Sequence, residues 1–192
     1  MNSKEQYILI SGSADDEAKK QLYECLFQIK YDSSIEQREY NRFKIIEQTD
    51  LNRLEFNKAH FKDKCNKIKN NLKAIICLEN LNPRPETLLN DVKILNECFT
   101  SNELKEKIFF VFTFSNGCKN LVELRNDILK FNTLFDYLMV SEFEKNKFCL
   151  EKVWSLNKIH QEDLITLKHI FKVKIQNKPQ LSYVKNESCY VL

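Results

Sequence analysis

Short apolar runs rich in β-branched and aromatic residues alternate in this chain with longer segments of helical period, and this alternation limits the fold more than any other feature. The clearest runs are residues 7–10, "YILI", residues 72–80, "LKAIICLEN", and residues 107–114, "KIFFVFTF". Such runs are typical of strands buried on both faces of a parallel sheet. Because parallel strands need crossover connections, the intervening segments are expected to be helices. The sequence therefore predicts an α/β fold with a mainly parallel sheet between two layers of helices.

Two further strands and several amphipathic helices complete the predicted order. The strands are predicted at residues 42–47, "RFKIIE", and at residues 136–141, "DYLMVS", the second as the last strand of the sheet. Residues 31–41 are polar and show no clear period. Apolar residues at three- and four-residue steps predict the helices, at residues 18–29, 55–71, 86–99, 120–131 and 161–172. In such a fold, ligands are expected at the carboxyl ends of the strands.

Composition argues against several classes of protein. The 192 residues suit one domain, which we place at residues 1–172, followed by a flexible tail at residues 173–192. The formal charge is only +3, and no stripe of basic residues is interleaved with aromatic ones, so no nucleic-acid partner is expected. The seven cysteines include no C-x-x-C pair, which favours reduced thiols over a zinc site or a disulfide framework. The three histidines show no ligand spacing, and no local signature supports a Cys–His pair. We therefore predict no catalytic residue and no metal site.

The middle of the chain has the order of a known family. "LKAIICLENLNPRPETLLNDVKILNECFTSNELKEKIFFVFTFSNG" reads as a strand, a loop, a helix and then a strand ending in "VFT". With the strand, loop and helix of residues 7–29 before it, the chain resembles the immunity-associated (IMAP, AIG-type) GTPases over residues 6–142. The resemblance implies a P-loop GTPase-like fold. It also implies that any GTP and Mg²⁺ would lie among the loops that carry this family's motifs.

The predicted phosphate loop, "GSADDEAK", keeps the family's position and lacks its residues. A loop of the form G-x-x-x-x-G-K-[ST] needs a second glycine for close backbone approach, a lysine for the phosphates and a hydroxyl for Mg²⁺. Counting from Gly12, those positions hold Glu17, Ala18 and Lys19. Lys19 is one position late, on a helix face expected to point elsewhere.

Acidic residues dominate the same loop. Asp15, Asp16 and Glu17 follow one another, and each carboxylate in contact with a triphosphate would cost on the order of several kcal/mol at an effective dielectric of ~20. The alternative interpretation is an N-cap followed by acids that the helix dipole favours, and we prefer it to phosphate binding.

The metal-proximal box of the family, D-T-P-G-L, aligns without gaps on residues 47–51, "EQTDL". The resemblance therefore gives Glu47 the place of the aspartate that reaches Mg²⁺ through water. Asp50 takes the place of the glycine that meets the γ-phosphate, and it adds a further negative charge.

The remaining motifs of the family match this sequence even less well. The guanine-reading motif falls on residues 113–116, "TFSN", where Thr113 and Asn116 are the candidate contacts and the charged acceptor is missing. Ser141 in "VSE" has the position of the last base-contacting loop. The switch segment is short, and Ser33 and Ser34 are its nearby hydroxyls.

These losses predict a GTPase-like domain with weak or lost GTP binding, acting as an interaction or regulatory module with no resident cofactor. One alternative is a divergent, active GTPase that uses GTP and Mg²⁺, with Lys19, Glu47 and Asn116 in displaced roles. Another is an unrelated soluble α/β binding module.

The last four residues, "CYVL", fit the C-a-a-X prenylation signal, and a final Leu favours a geranylgeranyl group on Cys189. The segment before them is polar, and five Lys against one Glu from residue 168 onward would assist binding to anionic lipid. The start "MNSKEQ" is no signal peptide, and no apolar run is long enough to span a bilayer. We expect the protein at the cytoplasmic face of a membrane with a cytosolic fraction, tethered to lipid through the prenyl group and bound to unidentified proteins. An unmodified cysteine at a frayed end is the alternative.

Overall fold

A computed structural model describes residues 5–33, 37–40, 43–49, 51, 56–80, 85–113, 120–156 and 161–176. The described residues form a six-stranded sheet in the order β2-β3-β1-β4-β5-β6. Neighbouring strands are parallel except that β2 runs antiparallel to β3. The strands are β1 Gln6–Gly12, β2 Gln37–Tyr40, β3 Phe43–Thr49, β4 Leu72–Asn80, β5 Ile108–Thr113 and β6 Val153–Ser155.

Helices connect the parallel strands. They are α1 Asp16–Leu22, α2 Lys58–Ile68, α3 Pro85–Asn96, α4 Ser101–Lys107, α5 Leu121–Leu129, α6 Asn132–Tyr137, α7 Lys145–Lys152 and α8 Gln161–Gln176. A π-helical turn, Tyr23–Phe27, continues α1. Short 3-10 turns follow α2 at Lys69–Asn71 and precede α7 at Glu142–Glu144.

The central strands are apolar because they are covered on both faces. In β1, Ile8, Leu9 and Ile10 are at most 1% exposed, and every side chain of β5 is buried. Each aliphatic or aromatic side chain buried in this way contributes roughly 1.5–3 kcal/mol to stability. The predicted α/β class is confirmed, as are the strands predicted at 7–10 and 72–80. The strands predicted at 42–47 and 107–114 are confirmed over Phe43–Glu47 and Ile108–Thr113, while Arg42 and Phe114 lie outside the described residues.

The predicted last strand at residues 136–141 is wrong. Asn132–Tyr137 is helical and buries Leu134 and Phe135, and the buried Leu138 at its C-cap follows them by four and three residues, the spacing of one helix face. The chain then turns at Met139, which has a φ of 52°. The last strand is Val153–Ser155, which is too short to give a periodic signal. Trp154, at its centre, is 3% exposed and lies in the core.

The last described helix, α8, is packed onto the domain by an aromatic contact. The Phe171 ring lies 6.0 Å from that of Phe27 and 5.5 Å from that of Phe109, centroid to centroid. The helix runs to Gln176, past the predicted start of the tail, and residues 177–192 lie outside the described residues. None of the helices in the described part of the chain is both long enough and apolar enough to cross a bilayer.

Candidate functional site

The carboxyl ends of β1, β3, β4 and β5 meet at one edge of the sheet. Gly12 of β1 pairs with Thr49 of β3 on one side and with Leu78 of β4 on the other, and Asn80 of β4 pairs with Thr113 of β5. This is the edge at which open α/β sheets bind ligands. It carries the loop between β1 and α1, so the predicted phosphate loop is placed as expected.

Gly12 is needed for close packing of two strands. Its φ is +113°, a conformation that residues with a side chain rarely adopt. A Cβ at this position would lie 2.2 Å from the carbonyl oxygen and 2.8 Å from the amide nitrogen of Leu78. The glycine therefore lets β1 end directly against the backbone of β4.

The loop after Gly12 ends in a helix N-cap, as predicted. The Asp15 carboxylate accepts a hydrogen bond from the Ala18 backbone N–H at 2.8 Å. The Asp15 backbone carbonyl accepts from the Lys19 N–H at 3.1 Å. Asp16 and Glu17 lie in the first turn, where the helix dipole favours acids. The Ala18 backbone amide, which could donate to a phosphate, thus donates to the Asp15 carboxylate instead.

Lys19 lies nearer to the candidate site than its sequence position suggested. Its side chain is only 12% exposed, and its Nζ is 2.9 Å from the Asp16 carboxylate. Burial lowers the pKa of Lys19, but the hydrogen bond with Asp16 and the negative charges of the Asp16 and Glu47 carboxylates outweigh it, so the pKa is raised. Lys19 is therefore a charged, partly buried group that faces two carboxylates.

Glu47, the predicted Mg²⁺-proximal residue, is held by an arginine and a tyrosine. The Arg38 guanidinium forms an ion pair with Glu47 Oε1, and the Tyr23 hydroxyl donates to the same oxygen at 2.6 Å. Arg38 also donates to the Asp32 backbone carbonyl. Its guanidinium carbon lies 4.5 Å from the ring centroid of Tyr23 and 4.7 Å from that of Tyr31. We call Arg38, Glu47, Tyr23 and Tyr31 the Arg38 cluster.

Sequence analysis missed this cluster because it missed β2. Arg38 pairs with Ile45 across the antiparallel ladder, so it lies diagonally opposite Glu47, within reach of a long side chain. The side chain of Arg38 is 4% exposed and that of Glu47 is 17% exposed. The sequence signal that could have indicated the ion pair is Arg38, which stands five residues before β3, together with Glu47 on the core-facing side of that strand.

The surface beside the Arg38 cluster is an open depression. The acids Asp16, Glu17 and Asp32 line it, together with Lys20 and Lys30. Three carboxylates against two lysines give this depression no excess of positive charge with which to attract a phosphate chain.

The predicted guanine contacts are not brought together in the described residues. Thr113 is 5% exposed, and its hydroxyl donates to the Glu79 backbone carbonyl at 3.5 Å. Asn116 and Asp50 lie outside the described residues. Ser141 is not at the end of a strand, because it caps the turn before α7 by bonding to the Glu144 carboxylate at 2.8 Å. The loop after the last strand begins at Leu156, so the predicted base loop at Ser141 is misplaced.

A buried acidic cluster under the β1 loop was also missed. Glu79 Oε1 accepts from the Ser13 N–H at 3.3 Å and from the Cys77 thiol at 3.5 Å. The Ser13 hydroxyl donates to Asp91 Oδ2 at 3.1 Å. Burial, followed by the hydrogen bond with Asp91, raises the pKa of Glu79 to about 9. Burial beside Asp91 therefore favours the neutral, protonated form of the Glu79 carboxyl group.

The strand order, the antiparallel β2 and the loop between β1 and α1 define the α/β fold of P-loop GTP-binding proteins. The solved structure of a probable GTP-binding protein, engB, is similar to this chain with a TM-score of 0.52 and 15% identity, covering 90% of this chain and 99% of that one. Twenty-two chains of solved structures match. The sequence matches no protein-family model and no curated protein. The likeness shows the fold, and the narrower resemblance to the IMAP family stays a prediction.

Several groups at this edge that could contact Mg²⁺ or a phosphate are engaged within the chain. The Ala18 amide and the Glu47 carboxylate already have partners within the chain. The positions of the lysine and the hydroxyl hold Ala18 and Lys19. The fold is thus GTPase-like, while the lysine and the hydroxyl of the phosphate-loop motif do not stand at their usual positions in this sequence.

Proposed function

We propose that this chain is a GTPase-like interaction or regulatory module with weak or lost GTP binding. The observation that carries the proposal is the state of Glu47, whose carboxylate is bound by Arg38 and Tyr23. A carboxylate in a partly buried ion pair is not available to hold the water shell of Mg²⁺ unless the pair breaks. Breaking such a pair costs about 3–5 kcal/mol, which nucleotide binding would have to supply.

The acids of the β1 loop support the same proposal. Three successive carboxylates follow the strand where a phosphate loop offers backbone amides, and one of them caps the Ala18 amide. The helix dipole that would attract a phosphate is already satisfied by Asp15, Asp16 and Glu17. We infer that the fold has kept its architecture and uses its surface to bind other proteins.

Hydrolysis of GTP by the purified full chain tests this proposal against an active, divergent GTPase. We expect release of phosphate at the rate of the protein-free reaction, and no change on Lys19→Ala. Lys20→Ala, on an exposed neighbouring position, is the matched control. Hydrolysis above background that disappears with Lys19→Ala and persists with Lys20→Ala would instead establish catalysis with Lys19 in a displaced role.

We also propose that Cys189 carries a geranylgeranyl group that tethers the module to the cytoplasmic face of a membrane. The support is the tetrapeptide "CYVL". One prenyl chain gives reversible attachment, so a cytosolic fraction is part of the proposal.

Cys189→Ser tests the tether. The variant is expected to lose isoprenoid label and to move from the membrane fraction to the soluble fraction of cells. Leu192→Ser is the matched control, because a final Ser favours a farnesyl group and should change the mass of the lipid while keeping it. An unchanged distribution of the Cys189→Ser variant would contradict the tether and favour a soluble binding module.

A further inference from the structure

Three buried acidic side chains meet beneath the loop that follows β1. Cys77 and Glu79 come from β4 and Asp91 comes from α3, and their thiol and carboxylate atoms lie within 4.8 Å of one another. The three residues are 0%, 2% and 0% exposed. A buried cluster of acids is costly unless protons or a cation neutralise it.

A further buried side chain on the same face of the sheet, that of Ser11, has an oxygen without a partner. Ser11 is 0% exposed, and its Oγ makes no hydrogen bond. Ser11 pairs in register with Cys77, so its side chain points to the same face as those of Cys77 and Glu79. A fully buried hydroxyl without a partner is rare in folded proteins, and an ion or a water molecule is the usual explanation.

The donor types select the class of ion. Mg²⁺ and Ca²⁺ are bound by oxygen ligands, whereas a thiolate favours a softer metal. Zn²⁺ is bound by cysteine sulfur together with carboxylate oxygen, and structural zinc sites take four ligands. Cys77, Glu79 and Asp91 supply three ligands of these types, and the nearby Ser11 hydroxyl or a water molecule would complete the four.

We propose that Cys77, Glu79 and Asp91 bind a divalent transition metal ion of the Zn²⁺ type, with the Ser11 hydroxyl facing the same ion. On binding, the thiol and the protonated carboxyl group release their protons to solvent. The ion neutralises the buried acids and ties β4 to α3. Through the bond from Ser13 to Asp91 it also fixes the loop after β1. The proposed metal site does not include Glu47 or Lys19, so its test is independent of the test for GTP binding.

Titration of the chelator-treated full chain with Co²⁺ tests the site, because Co²⁺ replaces Zn²⁺ and absorbs light. We expect one Co²⁺ per chain, a near-ultraviolet band from the cobalt–thiolate bond, and loss of both band and bound Co²⁺ when Zn²⁺ is added. Cys77→Ala should abolish the band. Cys149→Ala, another buried cysteine at 1% exposure, should retain it. Asp91→Asn should weaken Co²⁺ binding by more than the roughly 10–100-fold typical of an outer-shell partner.

X-ray absorption of the zinc-loaded native chain gives a test that needs no variant to fold. We expect one sulfur neighbour at about 2.3 Å, with the remaining neighbours oxygen or nitrogen at about 2.0–2.2 Å. A shell without sulfur, or one with several sulfurs, would overturn the proposal. So would the absence of stoichiometric Co²⁺ binding to the native chain, or a thiolate band that survives Cys77→Ala.

Discussion

Gly12→Ala is expected to lower the free energy of unfolding by about 3–5 kcal/mol, one of the two largest effects in this chain. The new Cβ would lie 2.2 Å from the Leu78 carbonyl oxygen, on the backbone of a buried strand that cannot move aside freely. The φ of +113° adds strain that no rotamer relieves. Equilibrium unfolding in urea, followed by circular dichroism, measures the change.

Lys20→Ala is the matched control for that experiment, because Lys20 is exposed on the helix that follows the same loop. Its effect should stay within about 0.5 kcal/mol. A loss below about 1 kcal/mol for Gly12→Ala would mean that β1 and β4 do not approach so closely. The glycine at position 12 would then be explained by the conformation of the loop between β1 and α1, which begins there.

Arg38→Met is expected to cost about 3–5 kcal/mol, because it leaves Glu47 without the cation of its ion pair. The substitution keeps an unbranched, apolar side chain against the stacked rings of Tyr23 and Tyr31, so the loss is chiefly electrostatic. The double variant Arg38→Met, Glu47→Gln removes both charges and should recover most of the stability. Unfolding in urea of the two single variants and the double variant measures the coupling between the residues.

If the double variant lost as much stability as the two single variants together, Arg38 and Glu47 would not be energetically coupled, which would contradict the Arg38 cluster. Lys44 supplies the control, since it forms an ion pair with Glu5 at the opposite end of β3 and its side chain is 30% exposed. Lys44→Met should cost no more than about 1 kcal/mol, as surface pairs do.

The sequence predicts the parts of this fold that repeat a strong local signal. β1, β4 and β5 are long, continuously apolar runs, and burial on both faces is what their composition requires. The N-cap at Asp15 was predictable because an acid before a helix has a local partner, the Ala18 amide. The connectivity followed from the need for helical crossovers between parallel strands.

The rest depends on contacts between distant parts of the chain. β2 is a short edge strand whose residues carry no period of their own, and it exists because it pairs with β3. The contact between Arg38 and Glu47 follows from that pairing, so no local pattern announces it. β6 has three residues, and its place in the sheet depends on pairing with β5. The meeting of Cys77 with Asp91 likewise needs the packing of α3, which periodicity alone does not specify.

These contacts give structural roles to residues that stand in the incomplete GTPase motifs. Glu47 replaces an aspartate by one methylene, a change that by itself leaves a carboxylate in reach of a metal. Its ion pair with Arg38 and its hydrogen bond from Tyr23 give that carboxylate a structural role. Gly12 likewise retains a role in strand packing. Under the proposed loss of GTP binding, Gly12 and Glu47 would be retained because the fold itself uses them.

Isothermal titration of the purified full chain with GTP and with GDP, in the presence of Mg²⁺, tests whether the domain has lost nucleotide binding. We expect no saturable heat at micromolar protein for either nucleotide. The Glu47→Gln variant, which cannot form the ion pair with Arg38, should behave in the same way. A dissociation constant near or below about 1 μM, equivalent to about 8 kcal/mol of binding free energy, would contradict the account, because the ion pair and the acidic loop would then have failed to exclude the nucleotide.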